Sequence, residues 1–183
     1  MNNLENNQFS VPKVMGILNL NADSFYEGNR VLNTDKFKTM VQEMVEQNAQ
    51  ILDLGAMSSR PGSFQIPAQK EIDRLIPAIE WIKNNFPHIE ISVDTFRAEV
   101  CKVVLEAGVD IINDISGASW EPELLSLVAK HNAKVILMHL IGDFENMHNS
   151  FEFGDIIEIV KKDLNEKIQK AEELGVKNII IDP

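Results

Sequence analysis

The sequence predicts a parallel α/β fold, a (β/α)8 TIM barrel with about six of its eight βα units present in the 183 residues. Three observations lead there. The stretch from Ile89 to Ala118 reads as strand, helix, strand: two short apolar runs flank a segment with Val100, Cys101, Val104 and Leu105 at helical spacing. The fragments NAQILDLGA, GVDIINDISGA, NAKVILMHL and GVKNIIIDP share one grammar, a helix-ending Asn or Gly, a short apolar strand, then a polar residue. Six strand ends carry Asn19, Asp53, Asp94, Asn113 with Asp114, His139 and Asp182. Helix-connected apolar strands are parallel neighbours, and such sheets bind ligands beyond the C-terminal ends of their strands. An open doubly wound sheet shares the alternation. It loses support because no G-x-G-x-x-G follows the first strand. A polar residue at every strand end also suits a ring around one mouth better than a single crevice.

The elements follow in order. Residues 1–12 form a polar lead-in, and 13–183 form the barrel domain. Val14–Leu20 is the first strand, followed by a loop rich in Asn, Asp and Gly. Thr34 is placed to cap a helix with Phe37, Met40, Val41, Met44 and Val45 in one stripe. Gln50–Gly55 is the second strand, and a second long loop contains Ser58-Ser59-Arg60-Pro61-Gly62. Ile72, Leu75, Ile76, Ile79 and Ile82 mark a helix that Pro77 kinks or interrupts. After the Ile89–Ala118 unit, Pro122 suits the first turn of a helix carrying Leu124, Leu125 and Val128. Lys134–Leu140 is the fifth strand. A long helix through Ile157, Val160, Leu164, Ile168 and Ala171 ends at Gly175, and Asn178–Asp182 is the sixth strand.

Composition excludes several classes. The net charge of −11 repels phosphate backbones, which argues against nucleic acid as a partner. No apolar run reaches the ~20 residues of a membrane helix, and the polar start MNNLENNQFS does not read as a signal peptide. The lone Cys101, on an apolar helix face, reads as a buried structural thiol in a reducing cytoplasmic compartment.

The motifs resemble those of the dihydropteroate synthase family, pterin-binding (β/α) barrels. They are Met15-Gly16-Ile17-Leu18-Asn19 continuing to Asp23-Ser24-Phe25, MSSRPG at 57–62, SVDT at 92–95, INDISG at 112–117, LMH at 137–139 and the closing IIDP. The resemblance implies a Mg2+-dependent transferase of folate biosynthesis and a sulfonamide target. Its reaction condenses a pterin methyl pyrophosphate with p-aminobenzoate, releasing pyrophosphate. By motif position, Asn19 resembles the family's magnesium ligand. Asp94, Asn113 and Asp182 resemble the residues that hydrogen-bond the pterin, with Asp94 and Asp182 carrying catalysis. Ser59 stands where the family has a substrate-contacting Thr, and Arg60 and Phe25 fall in loops that close over the aminobenzoate. The chemistry suits these types: carboxylates accept from pterin N–H groups, an amide both donates and accepts, and a buried carboxylate stabilises a cationic methylene.

This chain departs from the family pattern at Asn21-Ala22, Met57 and Ser59. It also stops at Pro183, before units that in the family supply a lysine and an arginine–histidine pair. The resemblance therefore implies a chain incomplete at its C-terminus and inactive alone, with a homodimer as the full-length form. Bland readings stand beside these. Asn19 suits a loop cap, Asp53 a site carboxylate or, preferred, an anchor for a neighbouring loop, and Asp114 faces away from Asn113 along its strand. His139 lacks companions at metal-ligand spacing, Arg60 suits a solvated position, and Trp81 and Trp120 suit core or rim packing. Two functional rivals remain. A methyltetrahydrofolate-dependent methyltransferase uses a related barrel with a corrinoid protein as partner, and a non-catalytic barrel would hold pterin without turnover.

Overall fold

The structure is a computed structural model and describes residues 11–20, 26–27, 31–32, 34–57, 65–142, 144, 146 and 154–183. In chain order the elements are β1 (Met15–Asn19), β2 (Tyr26–Glu27), β3 (Val31–Leu32), α1 (Thr34–Glu46), β4 (Ile51–Gly55), α2 (Ala68–Asn85), β5 (Glu90–Asp94), α3 (Ala98–Glu106), β6 (Ile111–Asp114), α4 (Glu123–His131), β7 (Lys134–Met138), α5 (Ile156–Glu173) and β8 (Asn178–Asp182). Six strands make one sheet in the order β1-β4-β5-β6-β7-β8, every pair parallel. This is the partial (β/α) barrel that the strand grammar predicts. The short antiparallel β2–β3 ribbon was not foreseen.

The repeated grammar has a physical cause. Asn48, Gly108, Asn132 and Gly175 all have positive φ, the left-handed turn that ends a helix. At each, the N–H reaches back three residues, to the carbonyls of Val45, Leu105, Ala129 and Glu172. The next N–H reaches back five, from Ala49 to Met44, Val109 to Val104, Ala133 to Val128 and Val176 to Ala171. Those four following side chains are buried. Four helices thus end in the same Schellman turn, which aims the chain into the next strand.

Pro77 neither interrupts nor ends its helix, which runs unbroken from Ala68 to Asn85. Its neighbours Leu75, Ala78, Ile79 and Ile82 are buried, so packing of the apolar stripe holds the helix together across the proline. Pro122 lies one residue before α4, at its cap. At α5, Asp155 caps the helix, its carboxylate accepting from the N–H groups of Ile157 and Glu158.

Alternation sorts the strand residues onto two faces. Leu18, Leu52, Leu54, Ile91, Val93, Ile112, Val135 and Leu137 point to the helices and join the main core, where Cys101 is also buried. The other face carries a small apolar cluster of Ile51, Ile111 and Ile136 with Met15 against it. Beneath it Glu90 binds Lys13 and Lys134. Burial opposes the Glu90 charge, yet the two lysines hold its carboxyl below the ordinary range. Among the described residues each outer strand pairs on one side only, and there Ile17, Ile180 and Ile181 are 62%, 40% and 51% exposed. No helix among the described residues is long and apolar enough to cross a membrane.

Candidate functional site

The register places the strand-end residues on one face. One row across the sheet reads Asn19, Gly55, Asp94, Asn113, Ile136, Ile180. The row beneath reads Ile17, Asp53, Ser92, Ile111, Lys134, Asn178. Above, Met138 pairs with Asp182. Asn19, Asp94 and Asn113 are therefore brought together on β1, β5 and β6. Asp182 shares their face, at the exposed far edge and one row nearer the mouth.

Gly55 is where two of these side chains meet. A Cβ built there lies 3.4 Å from Asn19 Oδ1 and 3.5 Å from Asp94 Oδ2. The glycine thus leaves a hollow between an amide oxygen and a carboxylate oxygen. Its signal in the sequence is a strand ending LDLG, where a glycine marks close approach.

Asp53 also belongs to this face. It is 5% exposed, and its Oδ2 accepts a hydrogen bond from Asn113 Nδ2 at 3.2 Å. Of the two roles open to it, site carboxylate or loop anchor, the contact with a strand-end amide favours the first, because residue 53 has the same parity as Gly55. Asp114 is the anchor instead: fully buried on the opposite face, it accepts from the N–H groups of Ser116 and Ala118, both at 2.8 Å.

Four carboxyl groups crowd the sector. Burial, then the charges of Asp53, Glu71 and Asp114, push Asp94 up to about 7. Burial raises Asp53, opposed by Ser92 and Asn113. Burial raises Glu71, opposed by the Thr95 hydroxyl and Arg97. Burial raises Asp114 as well, opposed by its Ser116 and Ala118 hydrogen bonds and by Lys167. Of these four, Asp53 and Asp94 lie on the inner face, where with the side-chain oxygens of Asn19 and Asn113 they offer acceptors to a ligand edge that presents N–H groups.

Two arginines hold the flanks of the loop between β4 and α2. Arg74 donates to the Ala56 carbonyl at 2.7 Å. Arg97 donates to the Ile66 carbonyl at 2.6 Å and to Gln65 Oε1 at 3.1 Å, and pairs with Glu71 at 3.2 Å. Ser59 and Arg60 in that loop, and Phe25 after β1, lie outside the described residues.

The tips of β7 and β8 are braced from α5. Buried Lys167 donates to the Met138 carbonyl at 2.9 Å and pairs with Asp163 at 2.8 Å. Asp163 also meets His139 Nδ1 at 2.7 Å, and the His139 N–H binds the Asp182 carbonyl. His139 thus supports the strand tips. Gly117, with φ +59°, lets Lys167 pass: a Cβ there would stand 2.6 Å from the Met138 oxygen and 2.8 Å from Lys167 Cδ. Trp120 packs at the rim against Phe96, its indole N–H donating to the Gly142 carbonyl. Trp81 sits between Phe37 and Phe86.

Among the described residues no cluster of three or more His, Cys, Asp or Glu is arranged to hold a metal. The oxygens beside Gly55 are hard donors, however. An ion that keeps several waters and takes substrate phosphates as ligands fits one amide oxygen at such a hollow.

Fold and site together define a partial (β/α)-barrel protein with a polar mouth at the C-terminal ends of its strands. The profile of the family described as "Pterin binding enzyme" matches residues 15–183, and the chain belongs to that family. It is 40% identical over 172 residues to a dihydropteroate synthase of Synechocystis sp., a match covering 93% of this chain and 59% of that protein. Among solved structures it resembles a Yersinia pestis dihydropteroate synthase with a sulfonamide drug, with TM-score 0.84, 34% identity, 94% of this chain and 62% of that one covered. It also resembles a Clostridium difficile dihydropteroate synthase with pteroic acid, with TM-score 0.81, 34% identity, and coverage of 93% and 63%. The chain thus spans about three-fifths of the length of these relatives.

Proposed function

We propose that the protein is a dihydropteroate synthase, joining 6-hydroxymethyl-7,8-dihydropterin pyrophosphate to p-aminobenzoate. The observation that carries this reading is the meeting of Asn19 and Asp94 over Gly55, with Asn113 beside Asp94 on the same face. Pteroic acid, with which a Coxiella burnetii dihydropteroate synthase of similar structure forms a complex, is a pterin joined through a methylene to aminobenzoate, which is the framework this reaction builds.

In this reading Asp94 and Asn113 bind the pterin edge: carboxylate oxygens accept ring N–H groups, and the amide completes the pattern. The aminobenzoate nitrogen attacks the methylene carbon as the carbon–oxygen bond to pyrophosphate breaks. The electron pair leaves with the pyrophosphate, and the nitrogen loses a proton. Positive charge grows on the methylene, and Asp182, on the same face, supplies negative charge to stabilise it. Asn19 would hold Mg2+, which when bound offsets the charge of the departing pyrophosphate. Ser59, Arg60 and Phe25 are assigned to the loops that receive the aminobenzoate, with Arg60 suited to its carboxylate. A cytoplasmic location, a homodimer and sulfonamide sensitivity belong to the same proposal.

The test incubates the longest purified form of the protein with the pterin pyrophosphate, labelled p-aminobenzoate and Mg2+. Labelled dihydropteroate with stoichiometric pyrophosphate is the expected product. Methyl transfer from methyltetrahydrofolate to a corrinoid protein, without that product, would support the methyltransferase. Pterin binding with neither reaction would reduce the protein to a binding module.

A further inference from the structure

Asp53 lies one row deeper than Asp94 and Asn113 and is almost fully buried. Its Oδ2 takes the Asn113 amide N–H, while its Oδ1 and the neighbouring Ser92 Oγ are buried and make no well-aligned hydrogen bond among the described residues. Ser92 pairs with Asp53 across β4 and β5, and with Asn113 it opposes the burial that raises the Asp53 carboxyl. The nitrogen end of the amide is the end that faces Asp53, donating to a carboxylate oxygen. The carbonyl oxygen is the other end of the Asn113 amide, and it takes no hydrogen bond from any described residue.

We propose that Asp53 is a positioning residue that fixes the Asn113 amide with its oxygen toward the ligand, so that the site demands an N–H donor at that point and rejects an acceptor. The proposal rests on the pterin reading above and names a specificity determinant within it. A pterin presents a 2-amino donor. The corresponding pteridine-2,4-dione, of nearly the same shape, presents a carbonyl there. A locked amide separates the two, because the dione would bring two oxygens together and leave both unpaired. A free amide can turn over and serve either ligand.

The experiment measures, by calorimetry, the affinities of 6-hydroxymethylpterin and of the matching dione for wild type, Asp53→Asn and Asp53→Ala. Ligand-free NMR of the Asn113 side-chain amide accompanies it. Wild type should prefer the pterin, and Asp53→Asn should cut the preference about tenfold, because its own amide can meet Asn113 from either end. Asp53→Ala should weaken pterin binding and speed solvent exchange of the Asn113 amide protons. A merely structural role would weaken both ligands together and leave their ratio unchanged; that result, with both variants folded, overturns the proposal. If wild type binds neither ligand, the pterin reading fails, and the positioning role is then decided by the amide alone. Unchanged exchange in Asp53→Ala overturns it, and accelerated exchange upholds it.

Discussion

The β4–β5–β6 sector and the β8 edge end in the same kinds of residue, yet they are physically different places. In the sector Asp94 and Asn113 have strands on both sides, Asp53 beneath and the α2–α3 layer behind. Asp182 ends a strand paired on one side only, with Ile180 and Ile181 exposed around it. A strand tip acquires burial and a fixed neighbour from the strands that flank it, not from its own sequence. The same holds for packing. Ile112 and Ile181 both point toward the helix layer, but Ile112 is fully buried and Ile181 is half exposed.

The sharpest way to break that contrast is to truncate both isoleucines. Ile112→Ala should lower the urea-unfolding free energy by about 3 kcal/mol, through lost burial plus a cavity. Ile181→Ala should cost under about 1 kcal/mol in the same measurement. Equal costs would mean that β8 is as well covered as β6.

The next effect is pH-dependent. Burial and neighbouring carboxylates raise Asp94 from 3.8 to about 7. The native state therefore holds more protons than the unfolded chain between about pH 4 and 7, and stability falls as pH rises through that interval. Asp94→Asn removes the titrating group. It should be the more stable protein at pH 8, by roughly 1–3 kcal/mol, with the advantage gone at pH 4. Denaturant melts at the two pH values check this; a variant less stable at pH 8 would show that the carboxylate is not penalised there.

A smaller change concerns the brace under β7. Lys167→Met keeps the length of the side chain but removes its bonds to Met138 and Asp163, costing about 1–2 kcal/mol. Hydrogen exchange should rise at the β7 and β8 tips and stay unchanged at β4 and β5. The smallest effect is expected at the exposed Lys161–Glu158 pair, where Glu158→Ala should shift stability by under about 0.5 kcal/mol.

The strand and helix order was legible because apolar period and helix-ending Asn and Gly act within a few residues of one another. The four Schellman turns are the structural form of that local grammar. The inner face was partly legible. Parity places Asp94 and Asn113 on it, and the same parity links Asp53 to Gly55, which favours the site carboxylate over the loop anchor as the reading of Asp53. The contact between Asp53 and Asn113, and the hollow at Gly55, depend on inter-strand register across 36 to 60 residues, which no local pattern encodes. The continuity of α2 through Pro77 was likewise decided by tertiary burial of Leu75, Ile79 and Ile82.

The central claim is that the sector around Asp94 is the pterin-binding mouth. Calorimetric titration of 6-hydroxymethylpterin into wild type and Asp94→Ala tests it most directly. Binding by the wild type with a loss of at least about tenfold in the folded variant is the predicted result. Equal affinity in the two proteins would contradict it.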